Sequence, residues 1–181
     1  MIAPSPLIFE ELSKNFGFCL RGPRINCPHS LGANPRCTSD RVLILPLPAI
    51  GVRVSLVGRI TEAMNKRGKF VDIFDFCRRI ILFKDDFPDF ARMVFGGFFD
   101  PVFKGREALI FNFSRLQAFS EICANDSFFP LPSLITFIFP NKFKGIMKEI
   151  ENKILLNILT SDDLKKIIFR LKRSYFNSAL D

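Results

Sequence analysis

Two aspartate doublets, Asp85-Asp86 and Asp162-Asp163, are the first places to look for chemistry, because clustered carboxylates hold the metal ions of phosphoryl transfer. Their settings argue for structural work instead. The first doublet follows an apolar stretch and precedes Phe87-Pro88, and the second stands where a helix begins. Both suit the positive end of a helix dipole. Cys27-Pro28-His29, with Cys37 nearby and Cys19 upstream, offers thiols and an imidazole, yet the spacing matches no zinc finger or ribbon. With a single histidine in the chain, no Ser/His/Asp set can be assembled. No catalytic residue, metal or cofactor is therefore expected.

The elements that would carry these residues read as mostly helical. Leu7 to Phe16 has an apolar side and stops at Gly17. Phe18-Cys19-Leu20 and Val42-Leu43-Ile44-Leu45 suit short strands, the latter ended by Pro46 and Pro48, and the Pro-, Gly- and Asn-rich stretch from Asn26 to Asp40 reads as loop. Helices are predicted from about Ser55 to Lys66, where Leu56, Ile60 and Ala63 recur at helical spacing, then from Val71 to Ile80 and from Phe90 to Phe95. Arg106 to Ile122 is predicted as one amphipathic helix, with Leu109, Phe113, Leu116 and Ile122 on its apolar side. Pro130, Pro132 and Pro140 mark a linker, and two helices follow it. The second is capped by Thr160 or Ser161, buries Leu164, Ile167, Ile168 and Leu171, and carries Lys165, Lys166, Arg170, Lys172 and Arg173 on its other faces.

Composition bounds the reading. The 181 residues include 23 Phe, one Tyr and no Trp, so most rings must be core or lie against another surface. A net charge of +8 favours polyanionic partners. The five cysteines form no regular framework, and Met1 to Pro6 has neither the basic nor the apolar region of a secretion signal, so a reducing cytoplasm is expected. The most apolar stretch, Phe128 to Pro140, is too short and too rich in proline to span a bilayer, so a soluble protein with no membrane partner is expected.

Four segments, in order, resemble the alpha subunit of bacterial C-family replicative DNA polymerases (DNA polymerase III). Glu10-Glu11 through Gly17, followed by Gly22-Pro23-Arg24-Ile25-Asn26, is similar to the family's helix and Pro-Pro-Asp-Ile-Asn run, with Arg24 in place of the acid. Arg41 to Val52 resembles the strand and hairpin that open its helix-hairpin-helix region. Gly68-Lys69-Phe70-Val71-Asp72-Ile73-Phe74-Asp75-Phe76-Cys77-Arg78-Arg79 carries the most specific likeness. Gly96-Gly97-Phe98-Phe99-Asp100 and then Arg106-Glu107-Ala108-Leu109 resemble the family's Ala-Gly-Ala-Phe-Asp turn and the start of its next helix. Glu151 with Ile154-Leu155-Leu156 and Leu159-Thr160-Ser161 weakly resembles the approach to its OB domain.

The resemblance implies a mainly α fragment with a degenerate helix-hairpin-helix and one or two short strands near the N-terminus. Residues 1–45 would be fingers-like, 46–125 the DNA-backbone-binding region, and 126–181 a linker with two helices. It implies contact with duplex DNA through Gly51, Val52, Arg53, Ser55, Arg59 and Arg106, by backbone approach at a glycine turn and N–H groups at a helix start. The fit is incomplete. Arg53 stands where the family has a second glycine, and Asp86-Phe87-Pro88 replaces the basic start of a later helix. The metal-binding aspartates of the family's palm are not matched, so the chain alone is expected to be inactive as a polymerase. Besides DNA, its partners would be the remaining polymerase domains. Two alternatives stand beside DNA binding: a fragment that docks on those domains without touching DNA, or a non-functional remnant.

Overall fold

In the computed structural model, residues 11, 14–15, 17–125 and 144–178 are described. The described chain is mainly helical, with a small three-stranded sheet near its N-terminus. Strand β1 (Cys19–Arg21) lies parallel to β3 (Val42–Ile44), while β2 (Arg36–Cys37) lies antiparallel on the other edge of β3. The third strand falls inside the stretch expected to be loop. A tight hairpin makes it possible: Thr38 N–H donates to the Val42 carbonyl at 2.8 Å, and Arg41 takes a left-handed conformation at φ 56° to turn the chain. Of the helix expected over Leu7 to Phe16, only Glu11, Lys14 and Asn15 are described, and they are helical.

Three helices follow the sheet. Helix α1 (Val54–Arg67) buries Leu56, Val57 and Ile60 and ends at Gly68, whose N–H returns to the Met64 carbonyl. Helix α2 (Ile73–Arg79) is capped by Asp72, which accepts from the Asp75 N–H at 2.7 Å, while Asp75 accepts from Val71 N–H at 3.0 Å. Arg79 pairs with Asp75 and also reaches the carbonyls of Gly68 and Lys69. That hydrogen bond from Arg79 holds the Asp75 carboxyl below the usual carboxylate range. Helix α3 (Phe87–Phe95) starts three residues before the expected Phe90, because a 3-10 turn (Lys84–Asp86) feeds it and Pro88 sits in the first turn, where no N–H is required.

The single helix expected from Arg106 to Ile122 is two: α4 (Arg106–Phe111) and α5 (Phe113–Asn125). Asn112 divides them. It leaves helical geometry at φ −104°, ψ 15°, and its buried side-chain amide donates to the Ala108 carbonyl at 2.9 Å. Such local bonds are how asparagine competes with a helix. Helices α6 (Lys144–Leu155) and α7 (Ser161–Ser178) are joined through Asn157, at φ 51°. Thr160 caps α7 as expected: its hydroxyl accepts from Asp163 N–H at 3.1 Å, and the Asp163 carboxylate accepts from Thr160 N–H at 3.2 Å. Leu164, Ile168 and Leu171 are buried. The linker prolines and Phe128 and Phe129 lie outside the described residues. Among the described residues no helix is long and apolar enough to cross a membrane.

One buried cluster runs from Ile25 to Leu171, and phenylalanine is its framework. Rings meet in sequence from Phe70 to Phe76, Phe99, Phe90, Phe113 and Phe87, with centroids 4.9 to 5.3 Å apart. Tilted and edge-on pairs at this spacing add attraction beyond burial alone. Cys77 is sealed within this core, and burial raises its thiol well above the ordinary range. Alkylation of the native protein should therefore mark the exposed Cys19 and Cys37 first and reach Cys77 only in denaturant, as counted by mass spectrometry.

Segments far apart in the chain close on one another here. Ile25 N–H donates to the Phe98 carbonyl at 2.8 Å. Asn26, left-handed at φ 64°, uses its side-chain amide like a strand: Nδ2 donates to the Phe70 carbonyl at 2.8 Å and Oδ1 accepts from Phe70 N–H at 2.7 Å. Gly22 abuts Gly96 so tightly that a Cβ on Gly22 would lie 1.9 Å from the Gly96 carbonyl oxygen.

Candidate nucleic-acid interface

The 3-10 turn Leu47–Ile50 ends at Gly51, which takes φ 88° and so turns the chain where an L side chain would be strained. Val52 N–H returns to the Leu47 carbonyl at 3.2 Å, and the Val52 side chain is buried in the core. Arg53, extended at φ −62°, ψ 140°, is the N-cap of α1 but supplies no side-chain cap. Val54 and Ser55 are exposed in the first helical turn, where N–H groups have no partner within the helix. Gly51, Val52, Arg53, Ser55 and Arg59 are thus gathered on one turn and the helix it launches.

The open side of Gly51 is already occupied. A Cβ there would lie 2.7 Å from Asn157 Oδ1 and 3.2 Å from Arg92 Nε, so the glycine admits the connection between α6 and α7. Arg92 is itself largely buried and reaches the Leu159 carbonyl and the Ser161 hydroxyl, both at 3.3 Å. Burial lowers its guanidinium from the ordinary arginine value.

Two carboxylates, Asp86 and Asp89, are only 2% exposed and face the turn. Asp86 accepts from Arg53 Nη2 at 2.8 Å, from Arg59 Nη2 at 2.9 and 2.8 Å, and from Phe83 N–H at 3.0 Å. Asp89 pairs with Arg53 Nε and lies 3.8 Å from Arg92. The hydrogen bond to Asp89 raises Arg53 above its ordinary value against the opposing effect of burial. Arg59 also donates to the Ile81 carbonyl and lies over the Phe83 ring, 5.2 Å from its centroid. Three guanidiniums, of Arg53, Arg59 and Arg92, therefore meet the two buried carboxylates of Asp86 and Asp89, and Arg53 Nη2 also donates to the Asp85 backbone carbonyl at 2.7 Å.

Arg106 belongs to a different cluster. It forks onto Asp100 at 3.0 and 2.6 Å and donates from Nη1 to the Phe95 carbonyl and to Glu151, both at 2.9 Å. Burial opposes its charge, but Asp100 and Glu151 outweigh that and raise the guanidinium above its ordinary value. It fastens α4 and α6 to the end of α3.

Asp86 and Asp89 stand out in the sequence only as acids where a later helix would start with a base, not as partners of Arg53 and Arg59, and Asn157 does not stand out at all. The guanidiniums that Asp86 binds lie 33 and 27 residues away, and nothing in local spacing signals those pairs. Among the described residues, no three His, Cys, Asp or Glu side chains form a group that could hold a metal ion. No family model matches the chain, and no curated protein matches it.

Proposed function

We propose that the chain is a fragment of a C-family polymerase alpha subunit, without its palm, whose turn at Gly51–Ser55 is a degenerate helix-hairpin-helix. In this reading it holds duplex DNA by the phosphate backbone, without sequence preference, in replication. The observation that carries it is the mutual packing of the resembling segments. The Gly22–Asn26 run bonds to Phe70 of the Phe-Asp-Phe-Cys segment and to Phe98 of the Gly-Gly-Phe-Phe-Asp turn. The N–H groups of Gly51, Val52 and Arg53 are taken by Pro48, Leu47 and Asp89. The backbone donors that such a module uses would therefore come from Val54 and Ser55 at the start of α1, which has no side-chain cap.

These internal ion pairs set the strength. Arg53 and Arg59 are held by Asp86 and Asp89, so few cations at the turn are left to displace counterions. Duplex binding should therefore be weak and only shallowly salt-dependent, with the slope of one or two phosphates, roughly −1 to −2 in log–log form. Asp85→Asn removes an exposed negative charge beside Arg53 and should tighten duplex binding a few-fold at low salt. A fluorescence anisotropy titration with a random-sequence duplex measures both; absence of binding at low salt sinks the DNA role.

A second reading is favoured by a specific surface. Phe83 and Ile81 are 51% and 39% exposed, beside a hollow lined by Arg59, Ala63, Arg79 and Ile80. Such a patch suits docking on another domain of the polymerase. Co-expression with a palm-containing partner tests it, and unchanged solubility and stability would count against it.

A further inference from the structure

The cations assigned by sequence to DNA are held in close ion pairs within the molecule, whereas on α7 the nearest such interaction is the influence of Lys166 on Asp163. Lys165, Lys166, Arg170 and Arg173 are exposed, and no ion pair engages them among the described residues. They surround one ring. Phe169 is 66% exposed, and its neighbours at i−4, i−3, i+3 and i+4 are Lys165, Lys166, Lys172 and Arg173. On a helix these four positions are the ones that flank a side chain. Every position that borders Phe169 along the surface of α7 is therefore a cation. From Leu164 to Ser178 the helix contains no acid, and its two aspartates, Asp162 and Asp163, stay in the first turn.

We propose that this outward face of α7 binds single-stranded nucleic acid, with Phe169 stacking on an unpaired base and the surrounding cations contacting phosphates. Aromatic platforms set among cations are the means by which proteins hold single strands without reading sequence. A duplex keeps its bases stacked and offers no face to the ring. A membrane surface fits less well, because an interfacial helix lays a continuous apolar stripe into the lipid. The apolar stripe of α7, at Leu164, Ile168 and Leu171, is instead buried in the core. Lys172 is half-buried, lies 5.6 Å from the Phe111 ring centroid, and has its ammonium lowered from the ordinary value by burial, so it borders the platform from the protein side.

This site is separate from the turn at Gly51, and its test is separable too. Fluorescein-labelled oligo(dT) is titrated with the full chain, with Phe169→Ala, with Phe169→Tyr and with the double variant Lys165→Glu/Arg173→Glu. The expected result is binding that weakens as salt rises, a loss of roughly tenfold in Phe169→Ala, and near-complete loss in the double variant. Phe169→Tyr, which keeps a stacking ring, retains affinity. Phe169→Ala leaves the melting temperature unchanged, since the ring is exposed, and leaves duplex binding unchanged; Asp85→Asn alters duplex binding and not oligo(dT) binding. No oligo(dT) binding at low salt, or equal binding by Phe169→Ala, overturns the proposal. So does Phe169-dependent binding to phosphatidylserine vesicles that exceeds binding to oligo(dT).

Discussion

Gly22→Ala should be the most damaging single-methyl change in the protein, costing about 3 kcal/mol or more and lowering the melting temperature by about 10 °C. The added Cβ would stand 1.9 Å from the Gly96 carbonyl oxygen, 2.9 Å from the Gly96 carbonyl carbon and 3.1 Å from Leu155 Cδ2. Real carbon atoms do not approach oxygen that closely, and the obstacle is backbone. Gly96 cannot retreat freely, because its N–H closes α3 onto the Arg92 carbonyl at 2.8 Å and its other side touches Ile50 and Ile154. Nor can the Gly22 strand move out without breaking Ile25 from Phe98 and Asn26 from Phe70. Urea and thermal denaturation measure the loss. A contrasting change is Gly58→Ala in α1, where a Cβ meets nothing within 4 Å. Replacing a helical glycine there should stabilise by about 0.5–1 kcal/mol.

Asp86→Ala should cost about 2–4 kcal/mol and, at a temperature where the variant stays folded, strengthen duplex binding. The carboxylate is 2% exposed and accepts from Arg53, Arg59 and the Phe83 N–H. Breaking a fully buried ion pair costs about 3–5 kcal/mol because the surviving charge loses its partner. The Arg53 side chain is 50% exposed and Arg59 29% exposed, so water compensates part of that loss and the lower range applies. The guanidiniums released would stand beside the first turn of α1, where the proposed phosphate contact lies. Asp86→Asn keeps an acceptor for Phe83 N–H and should fall between the two proteins in stability. A gain in duplex affinity accompanied by lower stability would mean that the acid trades DNA contact for folding. Unchanged affinity in both variants would remove the turn from the DNA-binding surface.

Much of the fold follows from local pattern. The bounds of α1 are set by Gly51 and Gly68, and the Thr160–Asp163 cap starts α7 at the expected residue. Proline and glycine act within a few residues of themselves, so single-sequence reasoning reaches them. The break at Asn112 was missed because apolar periodicity continues through it: Leu109, Phe113 and Leu116 are all buried, on two helices rather than one. Strand β2 was missed because Arg36 and Cys37 carry no apolar alternation; only their pairing with β3 makes them a strand. The candidate surface was legible as a set of positions and illegible as a set of charges. Arg53 and Arg59 stand at the turn, but what they bond to is 22 to 36 residues away. Burial of Asp86 and Asp89 is a tertiary fact that no spacing rule supplies.

The Asn26–Phe70 clamp also dictates an order of assembly. Its two partners are separated by 44 positions, and closing a flexible loop of that length costs about 3 kcal/mol in chain entropy. Two ordinary hydrogen bonds return only about 2 kcal/mol net. The clamp is therefore a late event, closing only once α1 and the β2–β3 hairpin have shortened the intervening chain. A substitution at Asn26 should consequently speed unfolding far more than it slows folding.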